Sequence, residues 1–416
     1  MFEEYSEFIQ NCPTPYHFAE YARTQLQKAG FTEMKESEEW ESVPKKGFSI
    51  RNERSLIAWN DEGHDRAIIQ ASHNDSPCFI LKPNFDECVD GYRRARCSNY
   101  GGLLMYTWFD RNLRLAGRVV YKTPEGLKFK LFDSKVGIAT IPCLAIHLDS
   151  SFKFSPNSLS PEDHFIPIYG TESDPPLKEY VASQLSLNAD DIVTLDLRFV
   201  DSEPPQLTND ILNSQRLDNM QNTFFILKAF LETSPQSGTT NILAVFDNEE
   251  IGSSTRCGAM SAFIDDLLKR IAKNDDIRRM KANSHIISFD STHGTNPNFP
   301  DVLESYHLIH IGKGITLERD PDYQTSSDMK NEFAMRQAAQ EIGENIQTAC
   351  CKNNTGGGTT IGPMSETLTG ILTVDAGAPV IGMHSIREHG SVKDIESGFK
   401  LAVELYSNYE KYMYPF

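Results

Sequence analysis

Four short runs constrain this chain most: "AIIQAS" (67–72), "NILAVF" (241–246), "HIISF" (285–289) and "PVIGM" (379–383). They are too continuously apolar for strands with one wet face, and they suit strands buried on both sides. Around them lie segments whose apolar residues recur every three to four positions: 14–30, 218–233, 326–343 and 394–413. In the first, Thr14 can cap, Pro15 suits the opening turn and Gly30 can close the helix. Strands alternating with helices predict an α/β domain, a mostly parallel central sheet flanked by helices.

The middle of the chain breaks that rhythm. From 86 to 204, short β-like pieces such as "GRVVYKT" and "DIVTLDLRFV" alternate with turn residues, and no long helical pattern occurs. This pattern predicts a β-rich insertion over 86–204, leaving a discontinuous domain built from 1–85 and 205–416, with "SEPPQL" (202–207) as the return linker. Two domains are also what 416 residues lead one to expect.

The residues just beyond each apolar run carry the chemistry. After the first run come His73-Asn74-Asp75, and after the second Asp247-Asn248-Glu249-Glu250. After the third comes Asp290-Ser291-Thr292-His293, and after the fourth His384. In open α/β sheets ligands gather at the carboxyl ends of strands, so these residues are expected to converge. Histidine and carboxylate without cysteine suit catalytic zinc, cobalt or manganese rather than a structural zinc cage. Two histidines with several carboxylates exceed one mononuclear site and suit a metal pair sharing a bridging carboxylate, for which Asp218 in "QRLDNMQ" is the candidate. His293 reads either as a substrate contact or as a group that positions Asp290. "TGGGTTIG" (355–362) lacks the lysine of a phosphate loop and reads as a backbone-lined substrate edge around Gly358.

Composition removes other classes. With 58 acids against 40 Lys and Arg the net charge is -18, which disfavours nucleic acid and anionic membranes as partners. No run of 18 apolar residues occurs, and "MFEEYSEFIQ" lacks a signal-peptide pattern. Eight scattered cysteines without a CxxC point to reduced thiols and a cytoplasmic setting.

The segments "ASHNDSPCFILKP", "SQRLDNM", "FDNEEIGSS", "SFDSTHGTNPN" and "GTTIGPM" followed by "GMHSIRE" resemble, in order, the signature set of the M18 metalloaminopeptidases, the aspartyl aminopeptidase family. The resemblance runs from about residue 10 to 412 and includes "TWFDRNLRLAGRV" and "IPCLAIHL" in the insertion. It implies a peptidase domain with two zinc ions per subunit, cobalt or manganese being possible substitutes. It also implies that the insertion is a dimerisation domain whose dimers build a tetrahedral dodecamer. His73, Asp218 and Asp290 would hold one ion, and Asp218, Glu250 and His384 the other. Glu249 would be the general base and Asp75 would orient His73. His147 of the insertion would reach substrate in a neighbouring subunit.

Two departures bear on the peptide substrate. Acid-preferring members carry a lysine in the loop that reads "GITLERDPDYQTSSD" here, where Glu318 stands at that position. Asn354 stands where an aspartate is expected. A carboxylate facing the substrate repels Asp and Glu, so neutral or basic N-terminal residues are expected. The alternatives are another di-metal amide hydrolase (a carboxypeptidase, dipeptidase or deacylase) and a non-catalytic scaffold; the full acid and histidine set counts against the latter.

Overall fold

Along the strand Thr239–Phe246 every residue is buried, and successive side chains enter two different cores. Leu243 and Val245 join a cluster with Phe8, Phe225, Ile287 and Leu405, whereas Ile242, Ala244 and Phe246 join one with Phe263, Leu267 and Ile361. A strand wet on neither side has no reason to alternate polar with apolar, which is why its sequence reads as one apolar run. The computed structural model describes residues 1–148, 159–273, 275–354 and 357–413.

The chain divides into two units. The first comprises Met1–Asp75, Pro205–Met383 and Glu388–Phe416. Its nine-stranded sheet is ordered Thr32–Glu33, Lys46–Arg51, Ser55–Asp61, Thr239–Phe246, Arg66–His73, His285–Phe289, Leu372–Gly377, Ile315–Arg319, Ile346–Cys350. The middle four strands from Thr239–Phe246 to Leu372–Gly377 are mutually parallel. Phe246 pairs with His73 and Phe289 with Ala376, so the residues after these strands emerge on one edge.

Three of the four apolar runs are sheet strands. The fourth is not: Pro379–Val380 forms a two-residue ladder with Thr292–His293, and the main-sheet strand is Leu372–Gly377, "LTVDAG". Asp375 interrupts the apolar pattern there, yet it is fully buried, accepting the Ser326 N–H at 2.6 Å. Gly377 passes so near Asp290 that a Cβ would lie 1.8 Å from the Asp290 carbonyl oxygen, so only glycine fits this close approach.

The second unit, Ser76–Pro204 with His384–Arg387, starts ten residues before the expected boundary at 86, because Cys78–Val89 is one continuous strand of its sheet. That sheet has six strands, ordered Gly126–Asp133, Leu113–Thr123, Ile192–Asp201, Cys78–Val89, Tyr92–Tyr100, Ile168–Thr171, all antiparallel. It also contains a helix that the sequence pattern hid, Leu177–Leu185, whose Leu177 and Val181 pack into the core of Phe79, Leu115, Phe132 and Phe199. His384–Arg387 joins this unit through Arg387, whose guanidinium meets Asp201 at 2.7 Å.

His285 is buried at the start of the strand His285–Phe289. Its Nδ1 lies 2.7 Å from Asn331 Oδ1, and its ring stacks obliquely on Tyr409. Burial pushes its pKa down to about 4. The folded state therefore holds it neutral while the unfolded chain titrates near 6.5, and stability should fall as pH drops from about 6.5 towards 4. The shift is worth roughly 3 kcal/mol. Unfolding free energies measured from pH 7 to 4 should show wild type losing its advantage over His285→Gln; a pH-independent difference rejects the assignment.

Candidate metal centre

His73 ends the strand Arg66–His73 and is buried. Its Nδ1 lies 3.1 Å from the Asp75 carbonyl oxygen and 3.3 Å from Asp75 Oδ1. Both are acceptors, so Nδ1 carries a hydrogen. The other ring nitrogen, Nε2, faces carboxylate oxygens: Asp290 Oδ1 at 3.4 Å, Asp218 Oδ1 at 3.5 Å and Glu249 Oε2 at 3.9 Å. One ligand atom each from His73, Asp218 and Asp290 lies within 4.8 Å of the others, and Asp218 and Glu250 are likewise within 4.8 Å.

Such crowding of buried acceptors is repulsive unless a cation intervenes. The titration tendencies say the same. Burial raises Glu249, Glu250 and Asp290 above the carboxylate range, and neighbouring carboxylates add to it. Burial alone would lower His73, but Asp290 and Asp218 outweigh it and hold the imidazole well above its usual value. The donor set of imidazole and carboxylate oxygens fits zinc.

These side chains are held by backbone chemistry as well as by strand position. Glu249 and Glu250 open a single 3₁₀ turn just after Thr239–Phe246. The Asp75 carboxylate accepts both of their N–H groups, Glu249 on Oδ1 and Glu250 on Oδ2, each at 3.1 Å. Asp75 therefore positions the glutamate turn as well as His73. Asp247, which the sequence left without a role, anchors the same turn from behind. It is fully buried, meets the Arg54 guanidinium at 3.0 Å and accepts the Asn248 N–H at 2.9 Å.

Asp218 is the second residue of the helix Leu217–Glu232, and its own φ/ψ of -79/110 is not helical. Polar residues of the first two turns stitch this helix to three chain segments. Asn219 Nδ2 donates to Ser72 Oγ at 3.0 Å and to the Phe289 carbonyl at 2.9 Å. Thr223 Oγ1 donates to the His73 carbonyl at 2.8 Å, and Asn222 Oδ1 accepts the Ala378 N–H at 3.1 Å. Sequence reading missed this network; the polar cluster "DNMQNT" at a buried helix start is its signal.

The remaining expected residues lie on other segments of the chain. His384 lies in the segment that packs with the second unit, in the left-handed region at φ 68, and its Nδ1 lies 3.0 Å from the Gly102 carbonyl. That contact leaves its lone pair on Nε2, the ligating arrangement. Glu318, on the strand Ile315–Arg319, accepts a hydrogen bond from Thr292 Oγ1, two residues past Asp290. Burial raises its carboxyl, and Asp290 adds to the effect. His293 is exposed on its short strand. Gly358 is exposed, and the neighbouring Thr359 Oγ1 donates to the Gln324 carbonyl at 2.9 Å; residues 355–356 of "TGGGTTIG" lie outside the described residues. His147 is exposed in a turn of the second unit, far from its own chain's ligands in sequence.

Known proteins are similar to this chain over nearly its whole length. A family model described as aminopeptidase I zinc metalloprotease (M18) matches residues 8–407. A probable M18 family aminopeptidase 2 of Clostridium acetobutylicum is 35% identical over 92% of this chain and 93% of its own. One from Stutzerimonas stutzeri is 31% identical over 97% of both chains. Among solved structures, the mApe1 dodecamer of S. cerevisiae superposes with a TM-score of 0.85 at 27% identity, covering 98% of this chain and 97% of that one.

Proposed function

The chain belongs to the M18 family and is a zinc aminopeptidase, and from that premise we propose that it works through a zinc pair bridged by Asp218. One ion is assigned to His73, Asp218 and Asp290, the other to Asp218, Glu250 and His384. The observation that carries this reading is the convergence of His73 Nε2 with Asp218 and Asp290 beside the glutamate turn. Cobalt or manganese would suit the same oxygen and nitrogen donors.

Bound zinc supplies Lewis acidity, polarising the scissile carbonyl and lowering the pKa of the attacking water. The residues do the rest. Glu249 takes the proton from that water as it attacks the carbonyl carbon, then delivers it to the leaving peptide nitrogen. Asp75 holds both glutamate N–H groups, so the base and its ligand neighbour keep a fixed offset.

For specificity we assign Glu318, Gly358 and His293 to the substrate cleft. The Glu318 carboxylate, tied to Thr292 close to Asp290, would repel an acidic side chain and favour neutral or basic N-terminal residues. A panel of aminoacyl reporters tests this. Leu, Ala, Lys and Arg substrates should be cleaved at least tenfold more efficiently than Asp and Glu, and the reverse order rejects it.

The S. cerevisiae neighbour is a dodecamer. We extend to this chain an assembly of dimers building a tetrahedral dodecamer, with the second unit as the assembly module and His147 serving a neighbouring subunit's substrate. A native mass equal to one chain would reject it. No helix among the described residues is long and apolar enough to cross a membrane. No disulfide occurs among them either, which supports a cytoplasmic location.

A further inference from the structure

We propose that Glu388 is a positioning residue for the zinc centre, fixing the peptide that carries Asp218. The inference rests on the reading of Asp218 as the bridging ligand.

The first N–H groups of a helix have no acceptor within it, and a side chain at the preceding residue usually supplies one. Here Arg216, in the left-handed region at φ 53, precedes the helix and makes no such side-chain bond. The Asp218 N–H donates instead to Glu388 Oε2 at 2.9 Å, across 170 residues of sequence. Glu388 is buried. It sits on the strand Glu388–Gly390, and its register partner is Ser214, four residues before Asp218 on the strand Ile211–Ser214.

The geometry makes Glu388 more than a cap. Asp218 and Asn219 depart from helical φ/ψ, so the helix's own ladder does not set the Asp218 peptide. The Glu388 bond fixes the N–H side of that peptide, and with it the direction of the Asp218 Cα–Cβ bond. On the far side, Asn219 is pinned to Ser72 and Phe289. Asp218 is thus held from both flanks, as a bridging ligand must be if its two oxygens are to face in different directions. A buried carboxylate also needs a donor, and ligand and holder satisfy each other.

Glu388→Ala removes the acceptor, whereas Glu388→Gln keeps an oxygen in place. For Glu388→Ala we expect zinc affinity, read by competition with a chromophoric chelator, to fall 10–100-fold. At saturating zinc, kcat should fall at least tenfold with KM within twofold, and Glu388→Gln should recover most of both losses. Zinc affinity and kcat within twofold of wild type in Glu388→Ala overturn the proposal. So does a loss that Glu388→Gln does not rescue, or a loss confined to thermal stability. If Glu388→Ala fails to fold, Glu388→Asp, which withdraws the oxygen by one methylene, takes its place with the same thresholds. Asp218→Asn separates the two claims: unchanged zinc affinity there would refute Asp218 as ligand, whatever Glu388 does.

Discussion

Glu249→Gln is expected to keep its zinc and lose kcat by about 10²–10⁴-fold, the range for removal of a general base. The substitution is isosteric, and the two backbone bonds to Asp75 do not involve the Glu249 side chain. The turn should therefore survive unchanged. Glu249 Oε2 stands 3.9 Å from His73 Nε2, a little beyond Asp218 and Asp290, as suits a group that serves the water rather than the ion. Glutamine can still orient a water through its oxygen but cannot take the proton. Zinc content measured beside single-turnover rates checks both halves: near-wild-type turnover would remove Glu249 from the mechanism, and lost zinc would make it a ligand.

Asp75→Asn should be nearly as damaging, although Asp75 touches no substrate. One carboxylate accepts from the Glu249 and Glu250 N–H groups on its two oxygens and faces His73 Nδ1. Asparagine has one acceptor oxygen and one donor NH₂, so a donor must face a donor inside a buried site. Each unsatisfied buried group costs about 1–3 kcal/mol. Loss of the carboxylate behind a zinc-binding imidazole typically costs 10–100-fold in affinity or activity. Combined, we expect at least a 100-fold fall in kcat/KM with the fold retained, measured by steady-state kinetics beside circular dichroism. A loss below tenfold would show that the glutamate turn holds its shape without this clamp.

The sequence made legible whatever is carried by local pattern. Three strands of the parallel core were readable because burial on both faces leaves uninterrupted apolar runs. The fourth was not, since Asp375 sits mid-strand in "LTVDAG" and is satisfied by the Ser326 N–H, a contact no periodicity records. The helix Leu177–Leu185 escaped because it is short and comes after "SDPP", which reads as turn. Residues His73, Asp218, Glu249, Glu250 and Asp290 were nameable because chemistry dictates their types. Their supports were not. Arg54 to Asp247, Asp75 to the glutamate turn and Glu388 to Asp218 join segments 170 to 193 residues apart, through side-chain or backbone groups that leave no spacing signature.

The central claim is that Asp218 bridges two zinc ions. Anomalous diffraction at the zinc edge from crystals of the zinc-loaded protein tests it directly. Two peaks roughly 3.5–4 Å apart are predicted, one among His73, Asp218 and Asp290, the other among Asp218, Glu250 and His384. A single peak, or a pair that leaves Asp218 outside both coordination spheres, would contradict it.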